Sequence, residues 1–132
     1  MASDLEHQAA LDQMYFDIFT TACEGGIDFW ADVLKYHHVK YDKHDNTVLV
    51  EDTLGFFATV RDNEDEESDI LTINRATIIS GLQMIADGET EIQGKFMDEV
   101  KRWLAEPDDA DIDATAADII VQIGLFNELV YG

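Results

Sequence analysis

The sequence predicts an α+β domain in which about four helices pack on a small antiparallel β-meander of three to four strands, in the order α-β-β-β-α-α-α. Three observations predict this class. Apolar residues recur at helical spacing at the start of the chain, strand-like segments and polar turns fill its middle, and three capped amphipathic segments follow. An apolar fraction of 46%, with aromatic residues throughout, is enough to build one core, so residues 1–132 are expected to form a single acidic domain.

The first helix is expected over residues 4–22. Its apolar residues follow helical spacing, while polar residues occupy the other side. The apolar set is Leu11, Met14, Tyr15, Ile18, Phe19 and Ala22. Gly25 and Gly26 are expected to end the helix, because glycine readily adopts the left-handed conformation that closes helices.

The middle of the chain is expected to be a meander. Aromatic and β-branched residues alternate over residues 27–41, which indicates a strand, although a helix over residues 28–37 also matches the spacing. A polar turn at residues 42–46 follows. Strands are then expected at residues 47–51 and 56–61, joined as a hairpin, with a short fourth strand at residues 70–73.

Three helices complete the predicted fold. Asn74 is expected to cap the first of them, which ends at Asp87 and Gly88. Thr90 is expected to cap the second, and Pro107 prevents its continuation. Asp113 is expected to cap the last helix, whose apolar side carries Ile119, Ile120, Ile123, Phe126 and Val130.

The strongest compositional signal is charge: 29 Asp and Glu stand against 8 Lys and Arg, for a net charge of −21. This excess repels nucleic acid and anionic membranes and attracts basic protein surfaces. Adaptation to high salt is an alternative origin of the acidity, although the twelve Ile residues argue against it. Much of the charge falls in two loops, and we predict an acidic interaction surface there made of Asp62, Glu64, Asp65, Glu66, Glu67, Asp69, Asp108, Asp109 and Asp111.

No metal or cofactor is expected. Counted from Asp62 or from Asp109, the sixth residue is not the glycine and the twelfth is not the glutamate of a calcium-binding EF-hand loop. The nearest approach to a metal-ligand cluster is the group His37, Asp42, His44 and Asp45. Its spacing is poor, because the adjacent histidines at 37 and 38 point to opposite faces of a strand.

The sequence contains no recognisable catalytic arrangement. Cys23 is the only cysteine, which excludes an internal disulfide and fits a reducing cytoplasm. The start of the chain lacks the basic and apolar regions of a signal peptide, and no apolar run is long enough to span a membrane. The sequence therefore favours a cytoplasmic protein that is not an enzyme.

Aromatic residues on more than one face allow a homodimer. Phe16 adds a second apolar side to the first helix, and the neighbours Phe56 and Phe57 must point to opposite faces of a strand. One of those faces needs a cover, which either another helix of the chain or a second subunit would supply.

Two stretches carry a resemblance: TTACEGGIDFWA from Thr20 to Ala31, and DIIVQIGLFNELVYG from Asp118 to Gly132. Together they resemble a family of small hypothetical proteins encoded by actinobacteriophages and actinobacterial genomes. The resemblance implies a phage-related origin. It implies no activity and no catalytic or binding residues.

Three functional hypotheses follow from the sequence. The leading one is a non-enzymatic, phage-encoded accessory protein that docks on a basic surface of a host protein. In one form of this hypothesis, the partner is a nucleic-acid-binding protein and the acidic surface mimics DNA. The second is a small-ligand binder or enzyme with a pocket between sheet and helices, near Glu24, Trp30 and the turn after His37. The third is a dimeric structural or assembly protein whose charge only maintains solubility.

Overall fold

A computed structural model describes residues 2–132, with side chains from Asp4 onward, and it confirms the α+β class. The described chain contains four α-helices and five short strands. In chain order they are α1 (Ala2–Thr21), β1 (Ala31–His37), β2 (Val39–Tyr41), β3 (Leu49–Glu51), β4 (Phe57–Asp62), β5 (Leu71–Asn74), α2 (Arg75–Ala86), α3 (Lys95–Ala105) and α4 (Ala114–Phe126). A π-helical turn at Ala22–Gly26 and a 3-10 turn at Pro107–Asp109 complete the described elements.

Glycines end the first helix as expected, but for a different reason. The chain leaves α1 through the π-helical turn, where Gly25 has φ 178, an extended rather than a left-handed conformation. The expected left-handed closure at this pair is therefore wrong. Gly26 instead permits a close approach, because a Cβ atom there would lie 2.8 Å from the carbonyl oxygen of Ala114. This contact joins the end of α1 to the start of α4.

The strands form two small antiparallel sheets. The first has the order β1-β4-β5, and the second pairs β2 with β3. The strand expected over residues 27–41 begins only at Ala31 and is divided at His38, and the alternative helix over residues 28–37 is wrong. Strands β3 and β4 do not form the expected hairpin, because residues 52–56 loop out between them and carry Phe56 into the core.

Local capping explains two of the three later helices. The Asn74 side chain accepts a hydrogen bond from Thr77 N at 3.1 Å, and Asp113 accepts one from Ala116 N at 2.7 Å, as predicted for α2 and α4. The cap expected at Thr90 is wrong. Its hydroxyl accepts from Ile92 N at 3.0 Å within a turn, and α3 begins only after Gly94.

Helices α2 and α4 cross at glycines. A Cβ atom on Gly81 would collide with the carbonyl oxygen of Ile120, and one on Gly124 would collide with that of Thr77. The two backbones therefore touch directly at these positions. Side chains larger than hydrogen would force the helices apart.

The core covers only part of the aromatic set that suggested a homodimer. The ring of Phe56 lies 4.5 Å from that of Phe19 and 5.8 Å from that of Phe16, so α1 covers this side of the sheet. Phe57 stacks on His37, its cross-strand neighbour on β1, with their ring centroids 5.3 Å apart. Phe57 and His37 are both half-buried, and the homodimer stays a prediction. None of the helices in the described chain has the length and apolar character needed to cross a membrane.

Candidate functional site

An acidic concave surface lies between α1 and the segment that connects α3 to α4. A cavity of about 380 Å³ adjoins a second one of about 250 Å³, and both are lined by Ala10, Pro107 and Asp108. We call the two together the acidic groove. Its charged wall consists of Glu6, Asp17, Glu106, Asp108 and Asp109.

The connecting segment is acidic on its outer side for a local reason. Pro107 ends α3 and is itself buried against the body of the protein. At the end of the 3-10 turn and after it, the apolar residues Ala110 and Ile112 are half-buried, while Asp109 and Asp111, which precede them in turn, are exposed. This alternation packs one side of the segment and leaves the carboxylates facing water.

The groove has no compensating positive charge from lysine or arginine. Neither residue lines it in the described part of the chain, and its only basic group is His7. The sequence explains this, since no Lys or Arg precedes Lys35 or follows Arg102. By contrast, Asp12 on another side of α1 is paired with Arg75 at 2.8 Å. The groove therefore holds a concentrated negative potential.

The first acidic loop lies elsewhere. Asp62 accepts hydrogen bonds from Glu64 N and from the Tyr131 hydroxyl, both at 2.8 Å, and these two bonds lower its pKa. Asn63 N donates to the carbonyl oxygen of Trp30 at 2.9 Å, beyond the C-terminal end of α1. Glu64, Asp65, Glu66, Glu67 and Asp69 remain exposed.

The second loop carries Asp108, Asp109 and Asp111 and lies along α1, beginning near Ala10. From Ala10 to the end of α1 at Thr21 is about 17 Å at 1.5 Å per residue. Asp108 and Asp109 are thus separated from the first loop by much of the length of α1. Glu6 and Asp17, which were not among the predicted surface residues, line the same cavities from α1.

The structure does not bring the nearest metal-ligand candidates together. Asp42 accepts from His44 N at 2.7 Å and Asp45 accepts from Thr47 N at 3.0 Å, so both carboxylates shape the turn. His37 lies at the other end of the small sheet, where it pairs with Asp52. Among the described residues, no group of three His, Cys, Asp or Glu is arranged to hold a metal ion.

The contact between His37 and Asp52 is a structural ion pair or hydrogen bond of 2.8 Å. Asp52 also accepts from Gly55 N at 2.9 Å, which closes the loop between β3 and β4. Burial raises the pKa of Asp52, but the bonds from His37 and Gly55 N outweigh it and the net pKa is lowered. The bonds of Asp52 to His37 and to Gly55 N therefore hold the loop between β3 and β4 in its conformation.

A buried polar cluster lies between α4, Trp30 and the C-terminal residues. The indole Nε1 of Trp30 donates to Asp118 Oδ1 at 2.8 Å, across 88 positions of sequence. Gln122 is fully buried and donates to Asp118 Oδ2 at 3.0 Å. It also donates to the Tyr131 carbonyl at 3.0 Å and accepts from Val130 N at 2.9 Å and Tyr131 N at 2.8 Å.

Gln122 therefore holds residues 130 and 131 as a neighbouring strand would, and the Tyr131 ring stacks on Trp30 at 4.5 Å. This cluster was not predicted from the sequence. The available signal was a pair of polar residues, Asp118 and Gln122, four positions apart within the apolar run of the last helix.

Asp118 is an unusual carboxylate because it is only 7% exposed. Burial raises its pKa, and the hydrogen bonds from Trp30 and Gln122 partly oppose that shift. Within the described residues, no Lys, Arg or His forms an ion pair with it. Both of its donors are neutral, so its charge is uncompensated.

Cys23 does not have the properties of a nucleophile. Burial, reinforced by the charge of Glu24, raises the pKa of its thiol to about 12. The thiolate is the reactive form of cysteine, so this thiol stays protonated and unreactive at neutral pH.

Comparisons with known proteins add no identification: no family model, no curated protein and no solved structure matches this chain. The resemblance to actinobacteriophage proteins therefore stays a prediction. The class that the structure defines is an acidic α+β domain with a carboxylate-lined groove and, among the described residues, two buried carboxylates, Asp52 and Asp118.

Proposed function

We propose that this protein is a non-enzymatic binding protein whose acidic groove docks on a basic surface of another protein. The observation that carries the proposal is the groove itself, where carboxylates from α1 and from the segment after α3 converge without a lysine or arginine. Charges that converge on a concave surface focus the field and attract a complementary partner.

The shape of the groove favours an extended basic segment. Two adjoining cavities of about 380 and 250 Å³ run side by side, with Ala10 and Pro107 as an apolar floor between the charges. Lysine and arginine side chains combine an apolar stem with a cationic head. Their stems fit such a floor while their heads reach Asp108 and Asp109.

The resemblance suggests a particular form of this proposal. In that form the chain is a phage-encoded accessory protein, and its partner is a nucleic-acid-binding protein of the host. The basic patch that such a protein uses to contact phosphates would then accept the carboxylates of the groove in their place. The separate acidic loop at residues 62–69 would add long-range attraction rather than direct contacts.

The proposal is tested with a short labelled oligoarginine peptide and two triple variants. The first removes groove charges (Glu6→Gln, Asp108→Asn, Asp109→Asn), and the second removes equal charge from the other loop (Glu64→Gln, Glu66→Gln, Glu67→Gln). Fluorescence anisotropy measures the affinity from low to high salt. We expect the groove variant to bind about tenfold more weakly, as the loss of three exposed ion pairs implies, and the loop variant to stay near wild type.

Two outcomes would contradict the proposal. Equal losses in the two triple variants would mean that the peptide senses only net charge. An affinity that does not change with salt would exclude an electrostatic groove, since exposed charges are screened over about 10 Å at 0.1 M salt. If the groove variant behaves as expected, the natural partner in the host is identified as a protein that binds the loop variant but not the groove variant.

A second candidate function, a small-ligand binder, is favoured by one specific observation. Asp118 is a buried carboxylate of raised pKa at the wall of a cleft, an arrangement typical of ligand sites. This candidate does not need the acidic groove.

A further inference from the structure

A cleft of about 350 Å³ lies beside the first turns of α4, and Asp118 is part of its lining. It is lined by Gly26, Phe29, Ala114, Thr115, Asp118 and Gly132. Its volume is at the lower end of the range for small-molecule sites. Only one charged side chain, Asp118, is among these residues.

The carboxylate of Asp118 has unused capacity to accept hydrogen bonds. Oδ1 accepts from Trp30 Nε1 at 2.8 Å and from Gln122 Nε2 at 3.1 Å, while among the described residues Oδ2 accepts only from Gln122 Nε2 at 3.0 Å. An ionised carboxylate can accept about four hydrogen bonds, so Oδ2 keeps a free position. A cation placed there would compensate a charge that the protein itself leaves unpaired.

The rest of the cleft limits which cation fits. Phe29 forms part of the wall and is 55% exposed, so its ring is available to an alkyl chain or to a cation. A guanidinium group prefers two free carboxylate oxygens for its paired donors, and Oδ1 is already occupied. An ammonium group needs only one.

We propose that this cleft binds a primary alkylammonium group, with Oδ2 of Asp118 as the anionic acceptor and Phe29 as the apolar wall. The group belongs either to a free amine or to a lysine side chain of a partner. The inference does not rest on the acidic groove, because the two sites share no residue.

The test is an NMR titration of the full chain with n-butylammonium at constant ionic strength. We expect saturable shifts at Thr115 and at residues beside Phe29, with n-butanol and n-butylguanidinium at least about tenfold weaker. Asp118→Asn should weaken butylammonium binding by about tenfold or more. Asp111→Asn, which removes the same charge from an exposed position, should leave the affinity unchanged.

A second variant keeps the test decisive if Asp118→Asn does not fold. Phe29→Ala removes a ring that is largely outside the core, and it should weaken binding while the spectrum stays native. The source of the amine is tested with a lysine derivative blocked at both backbone ends. Tighter binding of that derivative than of butylammonium indicates a partner's lysine, and equal binding indicates a free amine.

The proposal is overturned if n-butanol binds as well as n-butylammonium. It is also overturned if Asp118→Asn and Asp111→Asn bind alike, because the amine would then respond to the overall charge of the protein. If a folded Phe29→Ala variant binds n-butylammonium as tightly as wild type does, Phe29 is not the apolar wall of the site and the proposal is wrong in that form.

Discussion

Replacing Gln122 with methionine should detach the C-terminal residues from α4 and destabilise the whole domain. Methionine has a similar length and keeps the apolar contacts, but it neither donates nor accepts the hydrogen bonds of the amide. The bonds donated by Nε2 are lost, to both carboxylate oxygens of Asp118 and to the Tyr131 carbonyl. The two bonds that Oε1 accepts, from Val130 N and Tyr131 N, are lost as well.

The size of the effect follows from the surroundings of each partner. The backbone groups of Val130 and Tyr131 belong to exposed or half-buried residues and can bind water instead, so each lost bond costs about 0.5–1 kcal/mol. Asp118 loses one of its two donors while it stays buried, which costs about 1–3 kcal/mol. The expected loss of unfolding free energy is therefore about 2–4 kcal/mol, because these contributions are not fully additive.

Urea denaturation, followed by tryptophan fluorescence, measures this loss. Gln83→Met is the matched control, since Gln83 is exposed and donates to Asp87 at 3.0 Å with the same spacing of four residues. The control should change stability by less than about 0.5 kcal/mol. If Gln122→Met and Gln83→Met lower the unfolding free energy by the same small amount, the buried hydrogen bonds of Gln122 do not stabilise the domain as argued.

Two further stability predictions follow. Gly81→Ala should lower the unfolding free energy by about 1–3 kcal/mol through overpacking, although alanine is the better helix former by about 1 kcal/mol. Urea melts measure this loss, and Ala76→Gly at an exposed position of the same helix measures the effect of helix propensity alone. A Gly81→Ala variant that is more stable than wild type would contradict the close crossing of α2 and α4. Burial raises the pKa of Asp118 above 3.8, so its favourable contribution is complete below pH 3.8 and is lost as pH rises through the folded-state pKa. The stability of wild type relative to Asp118→Asn should therefore fall with rising pH, and a difference that is constant with pH would contradict this assignment.

Local interactions made much of the helical structure predictable. Asn74 and Asp113 cap their helices through bonds to residues three positions away, so a short stretch of sequence contains the whole interaction. The exception, Thr90, shows the limit of that reasoning. It has the right side chain for a cap, but Gly94, with φ 71, redirects the chain before α3 begins.

Strand pairing was less predictable because it depends on partners far apart. The alternation of residues 27–41 correctly indicated extended structure, yet it did not reveal the division at His38. That division follows from the loop at residues 52–56 on the opposite side, where Asp52 closes the turn and Phe56 enters the core. Register along a strand is decided by such packing more than by local propensity.

For the candidate sites, the sequence by itself determined the charge and the side chains that must face water. It placed Asp108 and Asp109 in an exposed acidic loop, because Pro107 prevents the preceding helix from continuing and a run of carboxylates favours contact with water. Only the tertiary structure decided which helix completes the groove. Glu6 and Asp108 are about a hundred positions apart in the chain, and no local pattern relates them.

The buried carboxylate was likewise a product of tertiary structure. Asp118 is one of 29 acidic residues, and the only feature of the sequence that separates it from the others is its spacing of four from Gln122 within an apolar helix. Its burial arises because Gly26 lets α4 approach the end of α1 and because Trp30, 88 positions away, donates to it. Charge and helix caps depend on residue type and near neighbours, whereas a buried site depends on close packing between distant segments.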